Sequence, residues 1–163
     1  MKLIPLTQGQ FAKVDDEDYD YLMQWKWHAK FGHSVKSYYA TRTGQKTEGH
    51  LWKKVIIMHR IIMNCPKYLE VDHVYHDTLD NRKSKLRICN HSQNTMNQQK
   101  RSDNISGYRG VNSKHGKWCA QIQTSGKKIY LGMFNCKHEA AKAYNIASRM
   151  YHGRFGYQNI IVD

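Results

Sequence analysis

Cysteine is scarce and dispersed in this sequence: Cys65, Cys89, Cys119 and Cys136 stand far apart, with no C-x-x-C pair. Such spacing offers neither a zinc knuckle nor the disulfide framework of a small secreted domain, and it suits a reducing cytoplasm. Long apolar runs are missing too. The opening MKLIPLTQGQ is too short in apolar residues for a signal peptide, and no run is long enough to span a bilayer, so no membrane association is expected. There is no tandem repeat and no low-complexity tract. Acidic side chains are the minority, 13 against 26 basic ones, for a formal net charge of +13. A surplus of that size attracts polyanions through its long-range field, nucleic acid first among them. A merely solubilising charge is the plainer alternative.

The 163 residues, 40% of them hydrophobic, have room for one medium domain or two small ones. Residues 1–100 carry 16 basic and 10 acidic side chains, and residues 101–163 carry 10 and 3, so the C-terminal part is the more basic per residue. Five of the N-terminal acids form one run, Asp15 to Asp18 and Asp20, which reads as a water-facing helix start in DDEDYDYLMQ. WKWHA and KSYYATRT read as strands, with Trp25 and Trp27 on one buried face. A polar loop around Gly44 to Gly49 follows, then KKVIIMHRIIMNCP, a strand passing into a short helix near Met58 and closed by Pro66.

LEVDHV is a strand ending in Asp72 and His73, YHDTLDNRKS a loop of turn-forming residues, KLRIC a returning strand, and HSQNTMNQQK a short helix with Ser92 as N-cap. This strand–loop–strand–helix order can assemble a one-metal phosphodiesterase site. Asp72 offers a carboxylate oxygen and Asn94 an amide oxygen to Mg²⁺ or a similar ion such as Mn²⁺. His73, neutral near pH 7, takes a proton from the attacking water. Arg60 belongs either at the scissile phosphate, where a forked guanidinium fits, or in a structural ion pair. His76 and His91 suit a phosphate contact or a loop hydrogen bond; His28, His33, His50, His115, His138 and His152 are surface or packing residues.

On VDH, LDNRKS, LRIC and SQN, with MHRIIM as lead-in, residues 50–100 resemble the HNH endonuclease family, and within it the phage and homing-endonuclease types. The resemblance implies a ββα-metal fold with His73 as general base and Asp72 and Asn94 as metal ligands. It also implies a middle Asn after the Ser of an SNL run, where this chain has SKL and Lys85. Lysine has only donors and cannot accept the bond that holds the catalytic His. Lys85 therefore marks a weakened or inactive site, unless Asn81 or Asn90 takes the role.

RSDNISG reads as a linker, residues 101–106, leading to three strand-like runs, YRGVNS, KWCAQIQT and KKIYLGMF, separated by KHG and SG turns. HEAAKAYNIASRMYHG then places Ala140, Ala141, Tyr144, Ala147 and Met150 near one side of a helix ended by Gly153. On YRGV, GKWCAQI, YLGMF, EAAKAYNIA and the closing HG…N, this part resembles the AP2 DNA-binding domain. The resemblance implies a three-stranded sheet in the major groove of duplex DNA with the helix behind it. Cys119, Ile122 and Leu131 are expected inward. Arg109, Asn112, Lys114, Lys117, Gln121, Gln123, Lys127, Lys128 and Tyr130 are expected toward DNA, with Arg109 and the glutamines on base edges and the lysines on phosphates. Trp118 stacks on a sugar or joins the core.

The expectation is an α+β chain: an HNH nuclease domain with a strand-rich extension over residues 1–100, and an AP2-like domain over 107–163. Its activity would be metal-dependent DNA cleavage or nicking in a bacterial or phage-infected cell. The alternative is a DNA-binding protein with an impaired nuclease site.

Overall fold

In the computed structural model, residues 1–33, 35–44 and 54–162 are described. The polar loop expected around Gly44 to Gly49 lies, beyond Gly44, outside them, as does His50. Small antiparallel sheets and a few helices make the chain α+β. No helix among the described residues is long and apolar enough to cross a membrane. The chain divides into two compact units, Met1–His91 and Ser92–Asp163.

The first unit opens with a hairpin of β1 (Lys2–Pro5) and β2 (Phe11–Val14). Its turn places Gln8 and Gly9 at φ of 60° and 66°, the left-handed pair that suits the twist of a tight hairpin. Ile4, Ala12 and Val14 point inward from it and meet Leu22, Trp27, Ala40 and Met58 in one core. Helix α1 (Asp16–Leu22) follows, with Asp16, Glu17 and Asp18 in its first turn, where carboxylates favour the positive end of the helix dipole. Strands β3 (His28–Gly32), β4 (Ser37–Thr43) and β5 (Val55–Ile57) form the next sheet in that order. The expected strand at WKWHA begins only at His28. Trp27 is held ahead of it, where its indole N–H donates to Leu22 O at 2.9 Å.

Strand β5 runs directly into α2 (Met58–Ile62), as the apolar run led one to expect. Then β6 (Glu70–His73) pairs antiparallel with β7 (Leu86–Cys89), and a 3-10 turn, Lys83–Lys85, precedes β7. Helix α3 (His91–Met96) starts at the end of this unit and continues into the second. Ser92 therefore lies inside the helix rather than capping it.

In the second unit β8 (Val111–Lys114), β9 (Lys117–Thr124) and β10 (Lys127–Phe134) form a meander with β9 in the centre. Helix α4 (Lys137–His152) covers one side through Ala140, Ala141, Tyr144, Ala147 and Ser148. Met150 is 73% exposed, against expectation. At 100° per residue it stands roughly 120° around the helix from the centre of that stripe. Gly110, at φ +75°, brings the backbone against the Tyr144 ring, and a Cβ there would also lie 2.6 Å from Gln121 O. Segment 101–106 is ordered against the sheet: Ser106 Oγ donates to Val111 O at 2.8 Å and Asn104 Nδ2 to Tyr108 O at 2.9 Å.

Candidate functional site

Strand β6 differs from a half-exposed strand in burying Val71, Asp72 and His73 in succession. Cross-strand register sets Asp72 opposite Arg87, whose Nε and Nη2 donate to Asp72 Oδ2 at 2.8 and 2.6 Å. His73 is 6% exposed and Asn81 1% exposed, and the His73 Nε2 to Asn81 Oδ1 distance is 3.2 Å. Asn81 Nδ2 donates to Leu79 O at 3.3 Å, which turns the amide oxygen toward the ring. The ring must therefore donate through Nε2–H, and Nδ1 carries the lone pair. Burial holds the His73 pKa below the usual imidazole value, opposed by the Asn81 bond and by the charges of Asp72, Asp77 and Asp80. The ring is neutral at pH 7.

Two aromatic neighbours flank His73. His59 meets His73 edge-on, with ring centroids 5.0 Å apart, and Tyr39 lies 5.8 Å from His59 and 6.1 Å from His73. Burial, with smaller contributions from His73 and Arg60, pushes the His59 pKa down to about 3. Tyr39 is raised by burial and by the Asp72 charge. The loop carrying Asn81 is tied to β4, where Thr78 Oγ1 donates to Tyr38 O at 2.6 Å, and is stiffened by the Arg82 fork on Asp80 at 2.8 and 2.6 Å.

In the second unit, register sorts the sheet into two faces. Trp118, Ala120 and Ile122 face the helix. Asn112, Lys114, Lys117, Cys119, Gln121, Gln123, Lys128 and Tyr130 occupy the other face, with Tyr130 beside Gln121 and Lys128 beside Gln123.

No family model matches the chain. Over 165 aligned residues it is 28% identical to an uncharacterized HNH endonuclease, L560, of Acanthamoeba polyphaga mimivirus, covering 98% of this chain and 80% of that protein. Over 69 residues, 42% of this chain, it is 38% identical to the AP2/ERF and B3 domain-containing transcription repressor TEM1 of Arabidopsis thaliana. Over 66 residues, 38% of this chain, it is 45% identical to the AP2-like ethylene-responsive transcription factor PLT2 of the same plant. The chain spans only 19% and 12% of those two plant proteins.

Several expected site residues stand elsewhere. Lys85 does not face His73: its Nζ lies 4.9 Å from the centre of the Tyr75 ring, and the acceptor on His73 is Asn81, four residues earlier. Arg60 donates to the carbonyls of Leu69 (2.8 Å), Pro66 (2.8 Å) and Cys65 (3.4 Å). Arg109 is bound to its own unit, donating to Gln98 O and to Thr95 O, the latter at 3.0 Å, and its guanidinium lies 5.8 Å from the Tyr157 ring centre. Cys119 is on the Gln121 face because strand alternation opposes it to Ala120. The same alternation packs the half-buried Trp118 against the helix-side core and pairs Lys127 with Thr124, off the Gln121 face. Asn94 sits on α3 in the second unit.

Tyr39 and Arg87 escaped the sequence reading, which left His59 unplaced. A histidine inside the apolar run VIIMHRIIM is a signal for a buried ring, and Arg87 follows from counting register back from the loop.

Proposed function

We propose that this chain is a metal-dependent DNA endonuclease of the phage or homing-endonuclease type, hydrolysing phosphodiester bonds in the first unit and binding duplex DNA with the second. The supporting observation is the His73 Nε2–Asn81 Oδ1 bond beside Asp72, at the end of a buried strand. With Nε2–H engaged, Nδ1 is the nitrogen that takes the proton from the attacking water. Asn81 keeps the ring oriented and steadies the imidazolium that forms.

In the first unit the Asp72 carboxylate, oriented through Oδ2 by Arg87, is the oxygen donor that would suit a hard divalent ion. When bound, such an ion neutralises charge developing on the phosphate and leaving oxygen. The Gln121 face of the second unit presents lysines for phosphates and amides for base edges.

A second reading, a DNA-binding protein with an inactive site, is favoured by Arg87, whose guanidinium already neutralises the Asp72 carboxylate at 2.8 and 2.6 Å. Nicking of supercoiled plasmid with Mg²⁺ or Mn²⁺, compared with His73→Ala, separates the two. Metal-dependent nicking lost in the variant supports the nuclease, and tight duplex binding without nicking supports the second reading.

A further inference from the structure

The acidic run at the start of α1, read from the sequence as water-facing, engages the loop that carries Asn81. Strand β2 joins it through the backbone: Lys13 N–H donates to Leu79 O, and Asn81 N–H donates to Lys13 O, both at 2.8 Å. Lys13 Nζ lies 2.9 Å from Asp77 Oδ2. Asp15 Oδ2 accepts from Lys83 N–H at 2.8 Å, and Lys83 Nζ sits 2.5 Å from Glu17 Oε1 and 3.3 Å from Asp18 Oδ1. The exposed ion pairs add little by themselves. The main-chain bonds matter more, because Leu79 O receives Lys13 N–H and the Asn81 side-chain amide together. Whatever fixes that carbonyl fixes which end of the amide faces His73.

We propose that the segment Lys13–Asp18 is a positioning device for the candidate site: β2 and the first turn of α1 hold loop 77–83 so that Asn81 keeps its oxygen on His73 Nε2. Asp15 and Lys13 are positioning residues that touch no reacting atom. The proposal rests on the reading in which His73 is the base, but its first readout does not require cleavage.

The test uses full-length protein with ¹⁵N-labelled histidine, whose ring shifts report which nitrogen carries the proton. The parent is expected to show His73 as a single Nε2–H tautomer. Asp15→Ala should populate the Nδ1–H tautomer and slow single-turnover nicking by about 10-fold or more, the scale of a small misplacement of a catalytic group, with duplex affinity unchanged. Asp15→Asn, which keeps an acceptor for Lys83 N–H, should restore both. If Asp15→Ala fails to fold, Lys83→Pro removes the same bond from the donor side. Residue 83 opens a 3-10 turn after an extended Arg82 (φ −66°, ψ 140°), a place proline tolerates. The inference is overturned if the folded variants keep the single tautomer, or if they change it while nicking that depends on His73 is unaffected. Should His73→Ala nick as fast as the parent, the nuclease reading falls instead, and the tautomer comparison still decides the positioning role.

Discussion

A histidine ring has two nitrogens, and a general base can use only the one that is not already donating. In this protein the choice is made by Asn81, whose amide is itself oriented by Leu79 O. His73→Ala should therefore slow cleavage by at least about 10²-fold, as expected for a general base, and leave DNA affinity intact. Asn81→Ala should also slow it with affinity unchanged, whereas Lys85→Asn should change the rate by less than about twofold, since Lys85 faces Tyr75. Single-turnover nicking of the three variants checks this. A large gain from Lys85→Asn would refute the assignment of Asn81.

His59 gives a second residue-scale expectation. Its pKa of about 3 lies below that of the unfolded chain, so the unfolded state binds the extra proton as pH falls. The stability from keeping this ring neutral is fully present above about pH 6.5 and is lost on descending toward pH 3. Between about pH 6 and 4 one such histidine costs about 1.4 kcal/mol per pH unit. Chemical denaturation across that range should show a steep slope in the parent and a shallower one in His59→Phe.

At the scale of elements, the meander was legible because its turns and alternation repeat over three runs, and α4 because its alanines recur at helical spacing. What alternation alone left open was its phase. Cys119 and Ala120 are both small and apolar, and only packing against α4 decides which of them faces in. Near His73 the strand and loop order was readable, but Asn81 and Lys85 could not be ranked, because their positions depend on how loop 77–83 is pinned by distant strands. Arg60 and Arg109 looked like ligand-binding residues because carbonyls left at loop and helix ends carry no mark in a sequence. For the sheet, Gln121→Ala and Gln123→Ala should each cost about 1–3 kcal/mol on a preferred duplex and little on a scrambled one. Lys128→Gln should reduce the log–log salt slope by about 1 on both. Trp118→Ala should act differently, lowering the unit's stability by about 3–5 kcal/mol if its packing is fully lost. Titrations at several salt concentrations and thermal melts distinguish the three.

For the whole molecule, the division at His91 and Ser92 means that the second unit includes most of α3. The carbonyls of Thr95, Met96 and Gln98 accept from Arg109 and from Tyr157 N–H, so cutting at residue 101 would remove these acceptors. A fragment of residues 92–163 carries 11 basic and 3 acidic side chains, net +8. It should fold alone, bind duplex DNA with an affinity that falls as salt rises, and melt higher than a fragment of residues 101–163. Calorimetry of the two fragments, with DNA titrations at two salt concentrations, checks this. Equal melting temperatures would mean that the α3 contacts contribute nothing.

The bond from Lys83 N–H to Asp15 joins residues 68 apart in the chain. Closing a loop of that length has an entropic cost that local contacts do not share, so the pairing between β2 and loop 77–83 should form late in refolding. During synthesis the N-terminal hairpin would emerge long before its partner loop and wait for it. Amide hydrogen exchange should then find Lys13 and Asn81 opening together, as one cooperative unit less protected than the hairpin's own ladder. A nascent or partly unfolded chain could hold a complete β1–β2 hairpin and still have no ordered acceptor for His73.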